Sequence, residues 1–223
     1  MTPAVSFQGF FRVGKVREKS IYQFIQELWS SAPVPGGGGA SALVGAVGTA
    51  LAGMVANLTK GKKKYENVQE DVLRIASNAE SLSQALLELV EEDAKVFEPL
   101  SKAYSLPRDT EEQREARERI LEKALEDACS VPIKIMEKCL EALSLLEELT
   151  EKGTRIAISD VGVGAAFVKA ALQGASLNVY INTKLMRNQV KAREFSQRTQ
   201  QILDDGIPRA EVVFQKVLSS VKA

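Results

Sequence analysis

Apolar residues recur at three- and four-residue spacings along most of the chain, and no alternating run of useful length interrupts them, so the pattern predicts helices throughout. Ser20-x-x-Gln23 has the spacing of a capping box and opens a first helix carrying Ile21, Phe24, Ile25, Leu28 and Trp29, which stops before Pro33. Ala40 to Thr59 contains no proline and reads as a second helix. A third, from about Asn67 to Glu98, carries the stripe Val72, Ile75, Ala79, Leu82, Leu86, Leu89, Val90 and Phe97, and Pro99 and Pro107 bracket the loop after it. Thr110-x-x-Gln113 caps a fourth helix that starts heavily charged, turns amphipathic at Ile120, and meets Gly153 as its C-cap; Pro132 kinks or splits it. A fifth begins near Ser159 or Asp160, runs at least to Met186 and on toward Leu203, and is ended by Asp204-Asp205-Gly206, after which Pro208 opens the last helix. The expected fold is all-α, a bundle of about six helices, several of them long. Residues 20–223 form one helical domain without repeats, and Met1 to Lys19 an irregular arm.

Composition narrows the chemistry. Lys+Arg and Asp+Glu stand at 29 each, which supplies no general attraction to nucleic acid or to an anionic membrane. The chain has no histidine, and so lacks the commonest general base and the commonest zinc ligand. No metal cluster, nucleophile triad or dinucleotide fingerprint is present in the sequence. Cys129 and Cys139 fall on one predicted helix about 15 Å apart along its axis, too far for a disulfide, which suits a reducing cytosol. The start is too short and interrupted for a signal peptide, and the glycines and alanines of Ala40 to Ala56 fit a buried helix better than a membrane span. The expectation is a cytoplasmic protein without nucleic-acid or membrane partners.

Three features exceed a plain bundle. Gly36 to Gly39 allow backbone N–H groups to approach a ligand, and the helix that follows aims its N-terminus at them. Ser41, Gly45, Gly48, Ala52 and Thr59 make one face of that helix almost bare, and Asp160, Gly164, Ala171, Ala175, Asn178 and Asn182 make a similar face on the fifth. The two faces either pack on each other or leave a slot, and the asparagines either read the edge of a heterocycle or bridge helices. Asp93 stands in line with Leu82, Leu86 and Phe97 on the third helix, where a carboxylate is either at the edge of a cleft or buried and paired. Lys60, Lys62, Lys63 and Lys64 cluster at the exit of the second helix, as a solvated helix end or as a hold for a carboxylate-rich tail.

These residues occur in a recognisable order: Ala32-Pro33 through Gly39-Ala40-Ser41, Gly61-Lys62-Lys63-Lys64-Tyr65, Asp93-Ala94-x-x-Phe97, Ser130-Val131-Pro132, Ser159-Asp160 and Asn178-x-x-x-Asn182. From Ser20 to Val221 the chain resembles the formiminotetrahydrofolate cyclodeaminase family, which includes the cyclodeaminase half of formiminotransferase-cyclodeaminase and has methenyltetrahydrofolate cyclohydrolases as related members. It departs from the family's three-glycine run in having four glycines before Ala40-Ser41, and Glu91 stands where relatives often have Asp. The resemblance implies an ammonia-lyase that closes formiminotetrahydrofolate to 5,10-methenyltetrahydrofolate. The tetrahydrofolate derivative is the substrate, and neither metal nor cofactor is used. Asp93 is then the general acid/base and Asp160 a second carboxylate. Gly36, Gly37, Gly38, Gly39 and Ser41 give close backbone contact, Asn178 and Asn182 hydrogen-bond the heterocycle, and Lys62, Lys63 and Lys64 hold the glutamate tail. The alternatives are a methenyltetrahydrofolate cyclohydrolase and a non-catalytic folate-binding or structural dimer. A homodimer burying more than about 2,000 Å² is expected, with one cleft bounded by Gly36 to Ser41, Asp93, Asp160 and Asn178.

Overall fold

The computed structural model describes residues 18–223, so most of the expected arm lies outside the described residues. Six α-helices follow one another: α1 (Ile21–Trp29), α2 (Gly37–Thr59), α3 (Gln69–Tyr104), α4 (Glu111–Lys152), α5 (Ile158–Thr183) and α6 (Gln189–Lys222). Short 3-10 turns at Lys63–Val68 and Arg155–Ala157 lead into α3 and α5. The all-α architecture is as the sequence predicts.

Both predicted capping boxes form. The Ser20 hydroxyl accepts from the Gln23 N–H while the Gln23 side chain accepts from the Ser20 N–H, and Thr110 and Gln113 repeat the exchange at α4. Four boundaries differ from expectation. α2 begins at Gly37, so Gly37 to Gly39 are its first turn and only Gly36 stands outside, as N-cap. α3 runs through Pro99 to Tyr104; the proline is exposed, where water can serve the freed carbonyl, and buried Leu100 and Ala103 hold the extra turn down. α5 is capped by neither Ser159 nor Asp160: it starts from the 3-10 turn with Ala157 as N-cap, leaving Asp160 in the first turn. It ends at Thr183, and Asn188 caps a single α6 that passes through Gly206 and Pro208. Gly206 is buried against Leu140 and Leu172, so packing overrides the local stop signal there.

α2 and α5 lie antiparallel along their whole length. Gly37 meets Asn178, Gly174 meets Ser41, Gly45 meets Ala171, Gly48 meets Gly164, and near the far end the Thr154 N–H donates to Thr59 Oγ1 at 2.8 Å. A Cβ at Gly48 would stand 2.9 Å from the Gly164 carbonyl oxygen, and one at Gly164 3.0 Å from that of Gly48. The bare faces therefore pack backbone to backbone over the middle of the pair, and no slot runs between them. α3 flanks α2 and α6 flanks α5, while the long α4 touches all four. Its buried Ile135, Met136, Cys139, Leu143, Leu146 and Leu149 make the centre of the core. Cys129 and Cys139 are free and buried, and burial pushes both thiols up to about 12.

With α4 on one side, α2 and α5 keep the opposite side uncovered. Val44, Val47, Met54 and Leu58 of α2 and Val163, Phe167, Leu177 and Ile181 of α5 are exposed. By length and composition Gly37–Thr59 and Arg155–Thr183 are apolar enough to cross a membrane, although 56% and 50% of their apolar windows are buried inside the bundle.

Candidate active site

The antiparallel pairing brings the first turn of α2 beside the C-terminal half of α5, and α3 presents Asp93 to both. A cavity of about 140 Å³ opens there, lined by Pro33 and Val34, by Gly36 to Gly38, by Asp93, Val96 and Phe97, by Ala128 and Pro132 of α4, and by Asn178, Ile181 and Asn182. A second cavity of about 240 Å³ shares its Pro33, Val34 and Phe97 walls and continues along α3 past Lys95 to Lys102.

Asp93 is the chemical centre. It continues the apolar stripe of α3, so the packing that buries Leu86 and Val90 also carries the carboxylate in among apolar groups. Burial raises its pKa from 3.8 to about 6, against the smaller opposing effect of the Gly39 N–H, which donates to it. No cation among the described residues takes part in that balance. A carboxyl group that titrates near neutrality beside a cavity can accept and return a proton. Gly38 makes room for it: a Cβ there would fall 2.2 Å from Asp93 Oδ1 and 2.6 Å from its Cγ. The absence of a side chain at this position is what lets the carboxylate lie on the helix terminus.

The asparagines divide their work. Asn178 packs against Gly37, and its amide donates to the Gly174 carbonyl at 2.9 Å, along its own helix. Asn182 is buried and reaches across to α4, where its Nδ2 donates to the Ala128 carbonyl at 3.3 Å. That carbonyl is four residues before Pro132, which has no N–H to give it. Asn182 therefore supplies the donor that Pro132 removes, and α4 passes through the proline as one helix. Asn182 thus bridges α5 to α4 while it lines the cavity. Replacing Asn182 with Leu leaves the Ala128 carbonyl buried without a donor, so we expect a loss of about 1–3 kcal/mol in urea unfolding; an unchanged midpoint would show that the bond carries no weight.

Not all of the expected site is assembled here. Gly39 acts through Asp93 from beneath, under Val90 and Pro35, and is not a wall of the cavity. Ser41 lies behind it, donating to the Gly37 carbonyl at 2.7 Å against Gly174. Asp160 sits 18 residues before Asn178 on α5, about 27 Å away along the helix. Lys62, Lys63 and Lys64 are at the same far end, beyond the C-terminus of α2, where Lys62 Nζ donates to Thr154 Oγ1 at 3.2 Å and Lys64 lies over the Tyr65 ring. The Tyr65 hydroxyl accepts from the Arg155 N–H, which lowers its pKa and ties the basic loop to the start of α5. The single cleft expected through both carboxylates is thus not formed within one chain, because α2 and α5 run in opposite directions and hold its parts at opposite ends. Val96 and Ile181 line the cavity without having been singled out, and Pro132 was read as a helix breaker and as part of the Ser130-Val131-Pro132 segment, with no place in the site; the signal for its role was a mid-helix proline with an asparagine to replace its N–H.

A family model described as formiminotransferase-cyclodeaminase matches residues 20–201. Methenyltetrahydrofolate cyclohydrolase of Methylorubrum extorquens is 38% identical over 203 residues, covering 91% of this chain and 98% of that protein. Formimidoyltransferase-cyclodeaminase of Rattus norvegicus is 31% identical over 206 residues, but the chain spans only 37% of its length. The crystal structure of formiminotetrahydrofolate cyclodeaminase from Thermotoga maritima superimposes with a TM-score of 0.76 at 31% identity, covering 91% of this chain and 95% of that one.

Proposed function

Because the chain belongs to the formiminotransferase-cyclodeaminase family, we propose that it is a one-carbon enzyme acting at the carbon between N5 and N10 of a tetrahydrofolate, with Asp93 as the proton-transfer group. The observation that carries this reading is a carboxylic acid with a pKa near 6 facing a cavity, with no cation among the described residues acting on it, in a chain without histidine.

Two reactions at that carbon need such a group. In the cyclohydrolase reaction water attacks the methenyl carbon and the carboxylate takes one of its protons; the bond to N5 then breaks as N5 takes up a proton and the remaining O–H proton is lost to form the carbonyl, which leaves a formyl group on N10 and releases one proton overall. In the cyclodeaminase reaction N10 attacks the formimino carbon of the N5-substituted folate, and the proton it loses leaves with ammonia. Both pass through a tetrahedral carbon. With its pKa near 6, Asp93 is mostly ionised at pH 7 and ready as a base, which suits removal of a proton from water. The 38% identity to a cyclohydrolase over nearly the whole of that protein points the same way, and we put hydrolysis of the methenyl group first. Cyclodeamination, the reaction the sequence resemblance put first, remains the second reading, supported by the Thermotoga maritima structure.

Pro33, Val34 and Phe97 form apolar walls for a flat ring, and Gly36 to Gly38 let it approach the first turn of α2. Loss of methenyltetrahydrofolate absorbance faster than the spontaneous rate tests the first reaction, and ammonia release from formiminotetrahydrofolate the second. Neither rate rising above background would remove the enzymatic reading.

A further inference from the structure

The first turn of α2 holds Asp93, yet it is built from the residues least able to keep a shape. Gly37, Gly38 and Gly39 have no side chains to anchor them, and the first turn of a helix has no turn before it to bond its N–H groups. A group that moves a proton must nonetheless be placed to a fraction of an ångström. We propose that Ser41 and Gly174 are positioning residues for Asp93: the Ser41 hydroxyl, admitted by the missing side chain of Gly174, pins the Gly37 carbonyl and so fixes the turn whose Gly39 N–H holds the carboxylate. The effect on rate rests on the proton-transfer reading of Asp93, while the effect on Asp93 itself needs no substrate.

Ser41 is buried, and its Oγ donates to the Gly37 carbonyl at 2.7 Å, back along its own helix. That carbonyl shares a peptide unit with the Gly38 N–H, and the next unit carries the Gly39 N–H that donates to Asp93. A peptide unit is planar, so fixing its oxygen fixes the direction of its N–H. From the other side, α5 leaves a hollow for the hydroxyl. A Cβ at Gly174 would stand 2.4 Å from Ser41 Oγ but 3.5 Å from Ser41 Cβ, so a side chain there would collide with the hydroxyl alone. One turn further on, Asn178 donates to the Gly174 carbonyl and lies against Gly37, so α5 braces the same turn twice.

α2 makes this kind of bond at two other places. Thr49 Oγ1 donates to the Gly45 carbonyl and Thr59 Oγ1 to the Val55 carbonyl, each at 2.7 Å. Those carbonyls lie inside the helix, where turns on both sides already hold their peptide units. At Ser41 the bond falls on the first residue of the helix, where fewer restraints act. Charged groups do not compete for the effect. The walls that α2, α4 and α5 give the cavity are glycines, Ala128, Pro132, Asn178, Ile181 and Asn182, and Pro33 and Val34 are likewise uncharged. On α3, Glu92 is paired with Lys134 of α4, and Lys95 lines the neighbouring cavity. Among the described residues only burial and the Gly39 N–H act on Asp93.

A double-mutant cycle with a control tests this. Ser41→Ala should lower the plateau of the pH–rate profile about tenfold, less than the hundredfold that about an ångström of misplacement costs. The midpoint of the profile should move up by about one pH unit, because Asp93 loses hold of a donor that favours its ionised form. Gly174→Ala should give the same two changes, since its methyl group drives the hydroxyl off the Gly37 carbonyl. Added to Ser41→Ala it should change nothing further, because the nearest atom outside α5 is then Ser41 Cβ at 3.5 Å, an ordinary contact. Thr49→Val removes the equivalent bond from the middle of α2 and should move neither plateau nor midpoint. Losses that add in the double variant overturn the proposal, as does an unmoved midpoint in Ser41→Ala or a Thr49→Val profile that moves as far. Carboxyl-carbon NMR of aspartate-labelled protein, with the Asp93 signal assigned by its absence from Asp93→Asn, follows the same midpoint without substrate. If the wild-type chain turns over no folate, the proton-transfer reading falls, and this titration in the variants still decides the positioning.

Discussion

Asp93→Asn should lower turnover by about a hundredfold to ten-thousandfold, the usual contribution of a positioned acid or base, and at the same time raise stability at neutral pH. The amide keeps the size of the carboxylate and still offers an oxygen to the Gly39 N–H, so the cavity keeps its shape. What it loses is the proton and the charge. The sign of the stability effect follows from linkage. Asp93 has its pKa raised on folding, from 3.8 to about 6, so its favourable contribution is complete below pH 4 and is lost as the pH rises through 6. About two pKa units correspond to about 3 kcal/mol of strain carried by the ionised group at pH 7. The Asn variant carries none of it. Wild-type stability should therefore fall between about pH 4 and 6 more steeply than that of the variant. The rate of the wild-type enzyme, corrected for the spontaneous reaction, should rise through pH 6 and level off. An Asn variant that keeps full activity would end the catalytic assignment. One that melts earlier than wild type at pH 7 would mean that Asp93 is held by a favourable partner after all.

Gly38→Ala should come close to the same loss of rate by a different route. Its methyl group would stand 2.2 Å from Asp93 Oδ1, and the first turn of α2 cannot retreat because Gly39 is packed under Val90 and Pro35. The carboxylate must rotate away, giving up the Gly39 N–H and its place at the cavity. Displacing a reacting group by about an ångström commonly costs about a hundredfold. The fold should barely notice, because alanine favours a helix and the clash is relieved by one short side chain. Turnover and the urea midpoint measured on one preparation check this. A fall in stability as large as the fall in rate would mean that α2, and not Asp93, had moved.

The sequence was most informative where a residue broke its local pattern. Asp93 was legible because a carboxylate interrupts an apolar stripe, and Ser20 and Thr110 because a cap is a local bond between near neighbours. Boundaries were less legible where a distant contact decides them. Asp204-Asp205-Gly206 followed by Pro208 has every local sign of a helix end, yet Leu140 and Leu172 close on Gly206 and the helix continues. The true break, between Thr183 and Asn188, has no glycine or proline to mark it, only an asparagine cap. The site was half legible for a related reason. Spacing shows that Asn178 and Asp160 share a face of α5 but not which end of α2 that face meets, and the antiparallel pairing keeps the first and sends the second away.

The two cysteines give the chain a built-in clock. Both thiols are buried on α4, one beside Gly45 and the other beside the Val179 carbonyl, with pKa values near 12. Neither can react with a labelling reagent until the helices around it part, and in the closed state almost none of either is thiolate. The rate at which each is modified in native buffer therefore counts openings of the bundle rather than collisions with reagent. Cys139 sits under the centre of α2 and Cys129 under the cavity end of α5, so the two rates separate an opening of the whole core from one confined to the cavity end of the bundle.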